Sequence, residues 1–108
     1  MEIIKTTRYK QDFKKKILKK NLIKEQQMVQ KIETFLLSVN NFQEMLNHPF
    51  KNVYKIEKKN GNLKRIYTAH INGNIRLFIK PVAEFTYDLK EINKMEFVCI
   101  NNKHYKEW

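Results

Sequence analysis

Two Asn-Gly pairs divide the second half of the chain, and they constrain its fold more than any other feature. Asn60-Gly61 and Asn72-Gly73 each lie between runs rich in Val, Ile, Tyr, Phe and Thr. Asn-Gly between such runs is a strong signal for a β-hairpin, because both residues accept the positive φ angles of a tight turn. The sequence therefore predicts an antiparallel meander, with strands in residues 52–59, 63–71 and 75–81. An acidic connection leads to a last strand in 95–100.

The first half of the chain has the apolar spacing of helices. After a short β-type run in residues 2–6, apolar residues recur every four positions among many lysines: Tyr9, Phe13 and Ile17. A clearer apolar stripe marks a second helix, which Asn21 is placed to cap and which should end at Asn40-Asn41. Its members are Met28, Val29, Ile32, Phe35 and Leu36. A further helical turn is expected in 41–50, before Pro49.

The predicted element order is β-α-α-β-β-β-β, which is an α+β fold. The N-terminal strand and the helical hairpin should pack on one face of a small antiparallel sheet. With 108 residues and no linker composition, the chain is expected to form one domain, 1–108.

The charge of the chain points to a polyanionic partner. The formal net charge is +11, and the excess lies in two blocks, with a net charge of +6 in residues 1–30 and +7 in residues 51–80. No apolar run approaches the length of a membrane span, and the N-terminal residues do not resemble a signal peptide, so we expect a cytoplasmic protein without membrane contact. Cys99 is the only cysteine, in an apolar context that suggests a buried hydrophobe.

The strand after Asn72-Gly73 indicates either a binding surface for a single-stranded nucleic acid or an ordinary solvated face of a sheet. Ile75, Leu77 and Ile79 should face the core, which turns the alternate residues to the other, open face of the sheet. These are Arg76, Phe78 and Lys80. Two cations around an aromatic ring provide charge for phosphates and a surface for base stacking.

The register of the preceding strand depends on the length of the loop. A two-residue loop would pair Ala69 with Arg76, and it would turn outward Arg65 and Tyr67. A three-residue loop would pair His70 with Arg76, and it would turn outward Lys64, Thr68 and His70. Arg76 is expected to be exposed in either case.

The three histidines do not have the spacing of metal ligands. No metal or other cofactor is therefore expected. RNA cleavage without metal needs a base for the 2′-hydroxyl, an acid for the leaving 5′-oxygen and a cation for the phosphorane, and His, Tyr and Arg suit these roles. A lone histidine is more often structural than catalytic, so the pattern by itself leaves these roles open.

The chain resembles the RelE/ParE toxins of bacterial toxin–antitoxin systems over nearly its whole length. Thr-Ala-His70-Ile-Asn-Gly-Asn-Ile-Arg76 is similar to the family's hairpin, in which a His or Arg precedes the turn and an Arg often opens the next strand. The ending Cys-Ile-Asn-Asn-Lys-His104-Tyr105 is similar to the His-Tyr tail of the YoeB branch. His48-Pro-Phe-Lys resembles a His-containing segment of the YafQ branch.

The resemblance implies a type II toxin that cleaves mRNA on the ribosome and is bound by a cognate antitoxin. By position, His104 would be the acid or base, Tyr105 would position or stack, and Arg76 would stabilise the phosphorane. His70 and His48 would be further participants, the latter in RNA binding. The YoeB branch has a glutamate before its second strand, where residues 49–55 hold no acid; Glu57 is nearest. The general base thus stays open between His104 and His70.

Two other functions remain open. The family includes toxins that inhibit DNA gyrase and lack a nuclease site, and the His-Tyr tail argues against that reading. A non-catalytic basic RNA-binding module would keep the charge but would not need His104.

Overall fold

A computed structural model describes residues 1–59, 65–83, 88–102 and 104. Its strands are β1 (Glu2–Lys5), β2 (Glu57–Lys58), β3 (Tyr67–His70), β4 (Ile75–Pro81) and β5 (Lys94–Asn102). Its α-helices are α1 (Thr7–Asp12), α2 (Ile23–Ser38), α3 (Phe42–Asn47) and α4 (Phe50–Val53), and a π-helical segment, Phe13–Leu18, follows α1 directly.

The first helix begins at a side-chain cap. Thr6 Oγ1 accepts a hydrogen bond of 3.0 Å from the N–H of Tyr9, which satisfies one of the free donors of the first turn. The predicted cap of the second helix was wrong. α2 begins after Leu22 without a side-chain cap, whereas Asn21 adopts a φ of 53° and ends the preceding helical segment. Asparagine suits that position because it tolerates left-handed backbone better than most residues.

The segment around Pro49 is helical for longer than the sequence indicated. α3 confirms the predicted helical turn, and Asn41 caps it by accepting a hydrogen bond of 2.8 Å from Glu44 N. Pro49 ends α3 but also precedes α4, since its fixed φ suits the start of a helix. The predicted strand 52–59 is therefore wrong in its first half, and only Glu57–Lys58 pairs as a strand.

The five strands form one sheet in the order β1-β5-β4-β3-β2. The predicted α+β fold is confirmed, including the antiparallel meander of β2, β3 and β4. The N-terminal strand was expected to pack with the helices on one face of an antiparallel sheet, and this detail was wrong. It joins the sheet beside the last strand, in parallel, with Ile3 opposite Met95. The helices between β1 and β2 carry the chain across one face of the sheet to its opposite edge.

A β-bulge on β5 allows residues of odd and even number to face the same core. Phe97 pairs with Ile79, whereas Cys99 pairs with Phe78, so that Val98 is the extra residue. The bulge turns the strand over by one position. As a result Phe97 and Ile100 both face the helices, although they are three residues apart.

The core lies between the helices and one face of the sheet. The helices contribute Tyr9, Ile17, Val29, Ile32, Phe35 and Leu36, and the strands contribute Ala69, Leu77, Ile79, Met95, Phe97 and Ile100. The rings of Tyr9 and Phe97 meet edge to face at 5.2 Å. Across the described ranges, no helix combines the length and apolar character needed to cross a membrane.

Side chains around α1 complete the hydrogen bonds of β5 beyond the end of β1. Thr6 Oγ1 donates to the carbonyl of Val98 at 2.7 Å. Asp12 accepts from Ile100 N at 3.0 Å, and Lys16 Nζ donates to Ile100 O at 2.8 Å. These groups take the place of a neighbouring strand along the second half of β5.

We expect Phe97→Ala to lower the free energy of unfolding by about 3–5 kcal/mol, because the substitution removes a fully buried ring and leaves a cavity. Urea unfolding followed by circular dichroism measures the change. Ile4→Ala is the control, since Ile4 is 38% exposed on the same sheet, and we expect it to cost less than 1 kcal/mol. Equal losses for the two variants would contradict this description of the core.

Candidate functional site

The hairpin between β3 and β4 has a three-residue loop. The N–H of Ile71 donates to the carbonyl of Ile75 at 3.0 Å, and His70 lies opposite Arg76. Asn72 Oδ1 stabilises the loop by accepting hydrogen bonds of 2.8 Å from the N–H groups of Asn74 and Ile75. Of the two registers that the sequence left open, the structure thus has the second.

This register decides which side chains of β3 reach the outer face. Thr68 and His70 lie on the face away from the helices. Tyr67 points the other way, and its ring contacts the buried Phe42 edge to face at 5.1 Å. Burial raises the pKa of Tyr67. The prediction that Tyr67 contacts RNA from the outer face was therefore wrong.

His70 is half-buried and has a cationic neighbourhood. Its pKa is lowered from the ordinary value of 6.5, first by burial and then by Arg76 and Lys55. Glu57 acts in the opposite direction on the pKa. Because β2 pairs Glu57 with Thr68, which is two residues from His70 on β3, the carboxylate lies on the same face as His70. The sequence identified Glu57 as the nearest acid but could not fix this register.

Arg76 is far less exposed than the sequence indicated. Its exposure is 9%, and its Nη1 donates to the carbonyls of Asn72 at 2.6 Å and Ile75 at 3.4 Å. The prediction of an exposed Arg76 was wrong, because the side chain folds back over the loop that precedes it. His70 and Arg76 still share the outer face, where they lie directly opposite each other on adjacent strands.

Phe78 does not present a stacking surface. It is fully buried on the outer face, in a small cluster with Ile66 and Cys99, and the Nζ of Lys59 lies 5.6 Å from its ring centroid. The proposal that a base stacks on Phe78 is therefore wrong. Burial also raises the pKa of Cys99 to about 11, so its thiol is not a nucleophile at neutral pH.

The predicted RNA-binding residues Arg65 and Lys80 lie towards the other end of the sheet, at the rim of the outer face, where they line one small pocket. The prediction that Arg65 faces outward from β3 required the two-residue loop, which the structure does not have, and Arg65 precedes the paired strand. Lys80 is exposed and pairs with Glu96 across the strands. Arg65 is exposed, has a φ of 64°, and its Nη1 lies 3.4 Å from the carbonyl of Ala83. Lys64, also expected to bind RNA, lies outside the described residues.

The end of β5 brings His104 towards the hairpin loop. Asn101 pairs with Arg76 and Asn102 with Ile75, and Asn102 Oδ1 accepts a hydrogen bond of 2.9 Å from His104 N. His104 is exposed, two residues beyond the last paired residue of the strand. The three predicted catalytic groups His70, Arg76 and His104 thus lie at the same end of three adjacent strands. Tyr105 lies outside the described residues.

His48 lies apart from these groups, on the side of α2. Its Nδ1 accepts a hydrogen bond of 3.1 Å from Phe50 N, and its ring centroid is 5.0 Å from that of Phe35. It lines an open pocket of about 670 Å³ with Phe50, Tyr54 and the polar residues of one α2 stripe. Tyr54 connects this pocket to β3, because its carbonyl accepts from His70 N at 3.0 Å. No group of three potential metal ligands occurs among the residues described.

We expect the His70 imidazole to titrate below pH 6.5, with a midpoint that two neighbours move in opposite directions. Arg76→Ala should raise the pKa of His70, and Glu57→Gln should lower it further. Proton NMR of the His70 ring measures both. Since the folded state disfavours the charged form, stability is retained above pH 6.5 and is lost as pH falls from 6.5 through the folded pKa. Shifts of the same sign in the two variants would contradict this environment.

Comparisons with known proteins identify the fold. No protein-family model matches the sequence, and no curated protein matches it. Solved structures do match: YafQ from E. coli strain BL21(DE3), at 18% identity and a TM-score of 0.61, over 94% of this chain and 92% of that one. The E. coli DinJ-YafQ toxin-antitoxin complex matches at 22% identity and a TM-score of 0.59, over 94% and 90% of the two chains. The predicted fold is thus confirmed, and the chain shares the fold of these YafQ structures.

Proposed function

We propose that this protein is the toxin of a type II toxin–antitoxin system and that it cleaves mRNA on the ribosome, as a metal-independent endoribonuclease of the cytoplasm. The observation that carries the proposal is the cross-strand pair of His70 and Arg76, with His104 beyond the end of the adjacent strand. The fold shared with YafQ supports it. A base, a cation and an acid are the groups that this cleavage requires.

In this mechanism His70 is the general base. Burial and two neighbouring cations lower its pKa, so the imidazole is neutral near pH 7 and can accept a proton. It removes the proton of the RNA 2′-hydroxyl, and the 2′-oxygen attacks the adjacent phosphorus. The bond from phosphorus to the 5′-oxygen breaks, which leaves a 2′,3′-cyclic phosphate on one fragment.

His104 is the general acid, and Arg76 stabilises the phosphorane. His104 donates a proton to the departing 5′-oxygen, so that the other fragment ends in a 5′-hydroxyl. Its exposure at the end of β5 gives it access to a strand of RNA. Arg76 faces the same region and carries a permanent positive charge, which favours the extra negative charge of the transition state.

The RNA backbone would approach along the basic rim of the outer face. Lys80 and Arg65 lie on this side, and Lys64 and Tyr105 remain predicted contacts. His48 adds a second contact region, since Tyr54 connects its aromatic pocket to the strand that carries His70. The buried Phe78 takes no part.

The partner that restrains this activity would be an acidic antitoxin segment. YafQ forms a toxin-antitoxin complex with DinJ. The net charge of +11 favours an acidic segment that covers the same basic surface and thereby excludes RNA.

We expect His104→Ala to lower the cleavage rate by roughly 10²–10⁴-fold, because it removes general acid catalysis. Arg76→Ala should cost a comparable factor, and Arg76→Lys should restore only part of it, since an ammonium cannot form a two-pronged contact with phosphate. Primer extension on ribosome-bound mRNA measures the cuts, with and without EDTA, and the circular dichroism spectrum controls for folding.

Absence of cuts by the wild-type protein, combined with inhibition of gyrase supercoiling, would replace this proposal with the gyrase reading. Binding of RNA without any cut would replace it with the binding-module reading.

Binding to a non-cleavable 2′-deoxy RNA analogue should weaken by roughly tenfold or more between 50 and 200 mM salt, because neutralised phosphates release counterions. Lys80→Gln should reduce this salt dependence. Lys5→Gln is the matched control: Lys5 Nζ lies 2.6 Å from the Glu33 carboxylate, where β1 meets α2, and we expect no change in the slope. Fluorescence anisotropy measures the affinities. If Lys5→Gln reduces the salt dependence of binding and Lys80→Gln leaves it unchanged, the RNA-binding surface does not lie on the outer face.

A further inference from the structure

The loop of the β3–β4 hairpin is fastened to helix α2 through a single side chain. Asn72 Nδ2 donates to Glu25 Oε1 at 3.2 Å, a partly buried contact between residues that are 47 positions apart. The same side chain holds the loop through its Oδ1. Its main-chain carbonyl accepts the 2.6 Å hydrogen bond from Arg76 Nη1. Asn72 therefore connects the first turn of α2 to the guanidinium of Arg76.

We propose that Asn72 is a positioning residue, held in place by Glu25, that orients the guanidinium of Arg76 for a phosphate. This inference rests on the proposed function for its catalytic meaning, but its geometric part can be tested without cleavage. It assigns a role to Glu25, which no sequence pattern singled out, and a second role to Asn72, which the sequence marked only as part of a turn.

The hydrogen bonds of Arg76 leave one edge of its guanidinium available. Both of its bonds use Nη1. Among the residues described, no buried side-chain nitrogen or oxygen lacks a hydrogen-bond partner, so Nε and Nη2, which make no bond to those residues, are not fully enclosed. Nε and Nη2 form one planar edge with two parallel donors, which matches two oxygens of a phosphate. Anchoring Nη1 thus fixes the direction in which that edge points.

Glu25 matters because it connects the loop to a helix outside the sheet. Without the contact to α2, Asn72 would be fixed only by the loop that it stabilises, and the whole loop could shift relative to the sheet end that carries His104. A carboxylate acceptor in a partly buried site makes a stronger hydrogen bond than a neutral one. The contact therefore ties Arg76 to the rigid body of the helices and the core.

A purely structural role for Asn72 predicts a different result. If Asn72 only stabilised the turn, its substitution would lower the melting temperature and leave the turnover of the folded protein intact. A displaced Arg76 instead lowers kcat in the folded protein, because a misplacement of about 1 Å can cost on the order of 100-fold in rate. The kcat of the folded variant therefore distinguishes a positioning role from a purely structural role.

The matched variants are Asn72→Ala and Asn74→Ala. Both remove an asparagine side chain from the same loop, but Asn74 contributes only its main-chain N–H to the contacts of this loop. We expect Asn72→Ala to lower kcat by about 10-fold to 100-fold with a smaller change in KM, and Asn74→Ala to retain kcat. Glu25→Ala should lower kcat by a smaller factor. Glu25→Gln keeps an oxygen acceptor and should restore most of it.

Two further measurements complete the test. In an Arg76→Ala background the loss from Asn72→Ala should disappear, since a residue that acts through Arg76 has no effect once Arg76 is absent. The Arg76 Nε–H signal in ¹⁵N NMR, titrated with inorganic phosphate, should respond in the wild-type protein and need several-fold more phosphate in Asn72→Ala and Glu25→Ala. If Asn72→Ala does not fold, Glu25→Ala, a substitution on the surface of α2, provides both kcat and the phosphate titration.

The outcomes distinguish the two proposals. Unchanged kcat in folded Asn72→Ala and Glu25→Ala, or an Arg76 signal that ignores phosphate in the wild-type protein, would overturn the positioning role. Absence of cleavage by the wild-type protein, with a phosphate response that weakens in Asn72→Ala, would overturn the nuclease and support the positioning role.

Discussion

Two hydrogen bonds from the N–H groups of Asn74 and Ile75 to the side-chain oxygen of Asn72 fix the length of the central hairpin loop. The side chains of a strand alternate between the two faces, so a loop shorter by one residue would turn β3 over. His70 would then point into the core, and Tyr67 would lose its contact with Phe42. Which candidate groups of β3 reach the outer face follows from this one loop.

The outer face of the sheet has a buried apolar cluster at its centre and polar residues at one end. Phe78, Cys99 and Ile66 bury their side chains in the middle of the face, although the helices lie on the other side. Polar chemistry is thereby confined to the hairpin end, where His70 and Arg76 lie, and to the basic rim. An apolar centre also gives β4 fixed packing on both faces, which limits the movement of the groups at its end.

The sequence predicted the element order and the pattern of the helices well, because apolar spacing and Asn-Gly turns act locally. The bulge at Val98 was not predictable, since it depends on how β5 meets β4 and leaves no mark in the apolar pattern of residues 95–100. The segment after Pro49 was misread as a strand because its Val and Tyr have high β-propensity, whereas its main-chain bonds continue in helical turns.

The candidate site was predicted in its residue types and only partly in its geometry. His70, Arg76 and His104 lie at one end of the sheet, and the roles that the resemblance implied for them stay predictions. The burial of Arg76 depends on the loop carbonyls that accept its Nη1, and the burial of Phe78 depends on neighbours from other strands. The alternation of a strand predicts the face of the sheet on which a side chain lies. It does not predict which other residues cover that face.

The side chains of Thr6, Asp12 and Lys16 have a consequence for assembly. They form hydrogen bonds with the main-chain groups of β5 at Val98 and Ile100, which lie beyond the end of β1. Without these bonds, the same groups would be ready to pair with another chain. A foreign strand cannot extend the sheet there without displacing three side-chain hydrogen bonds. The C-terminal half of β5 is in this way protected from edge-to-edge aggregation by a helix that never becomes part of the sheet.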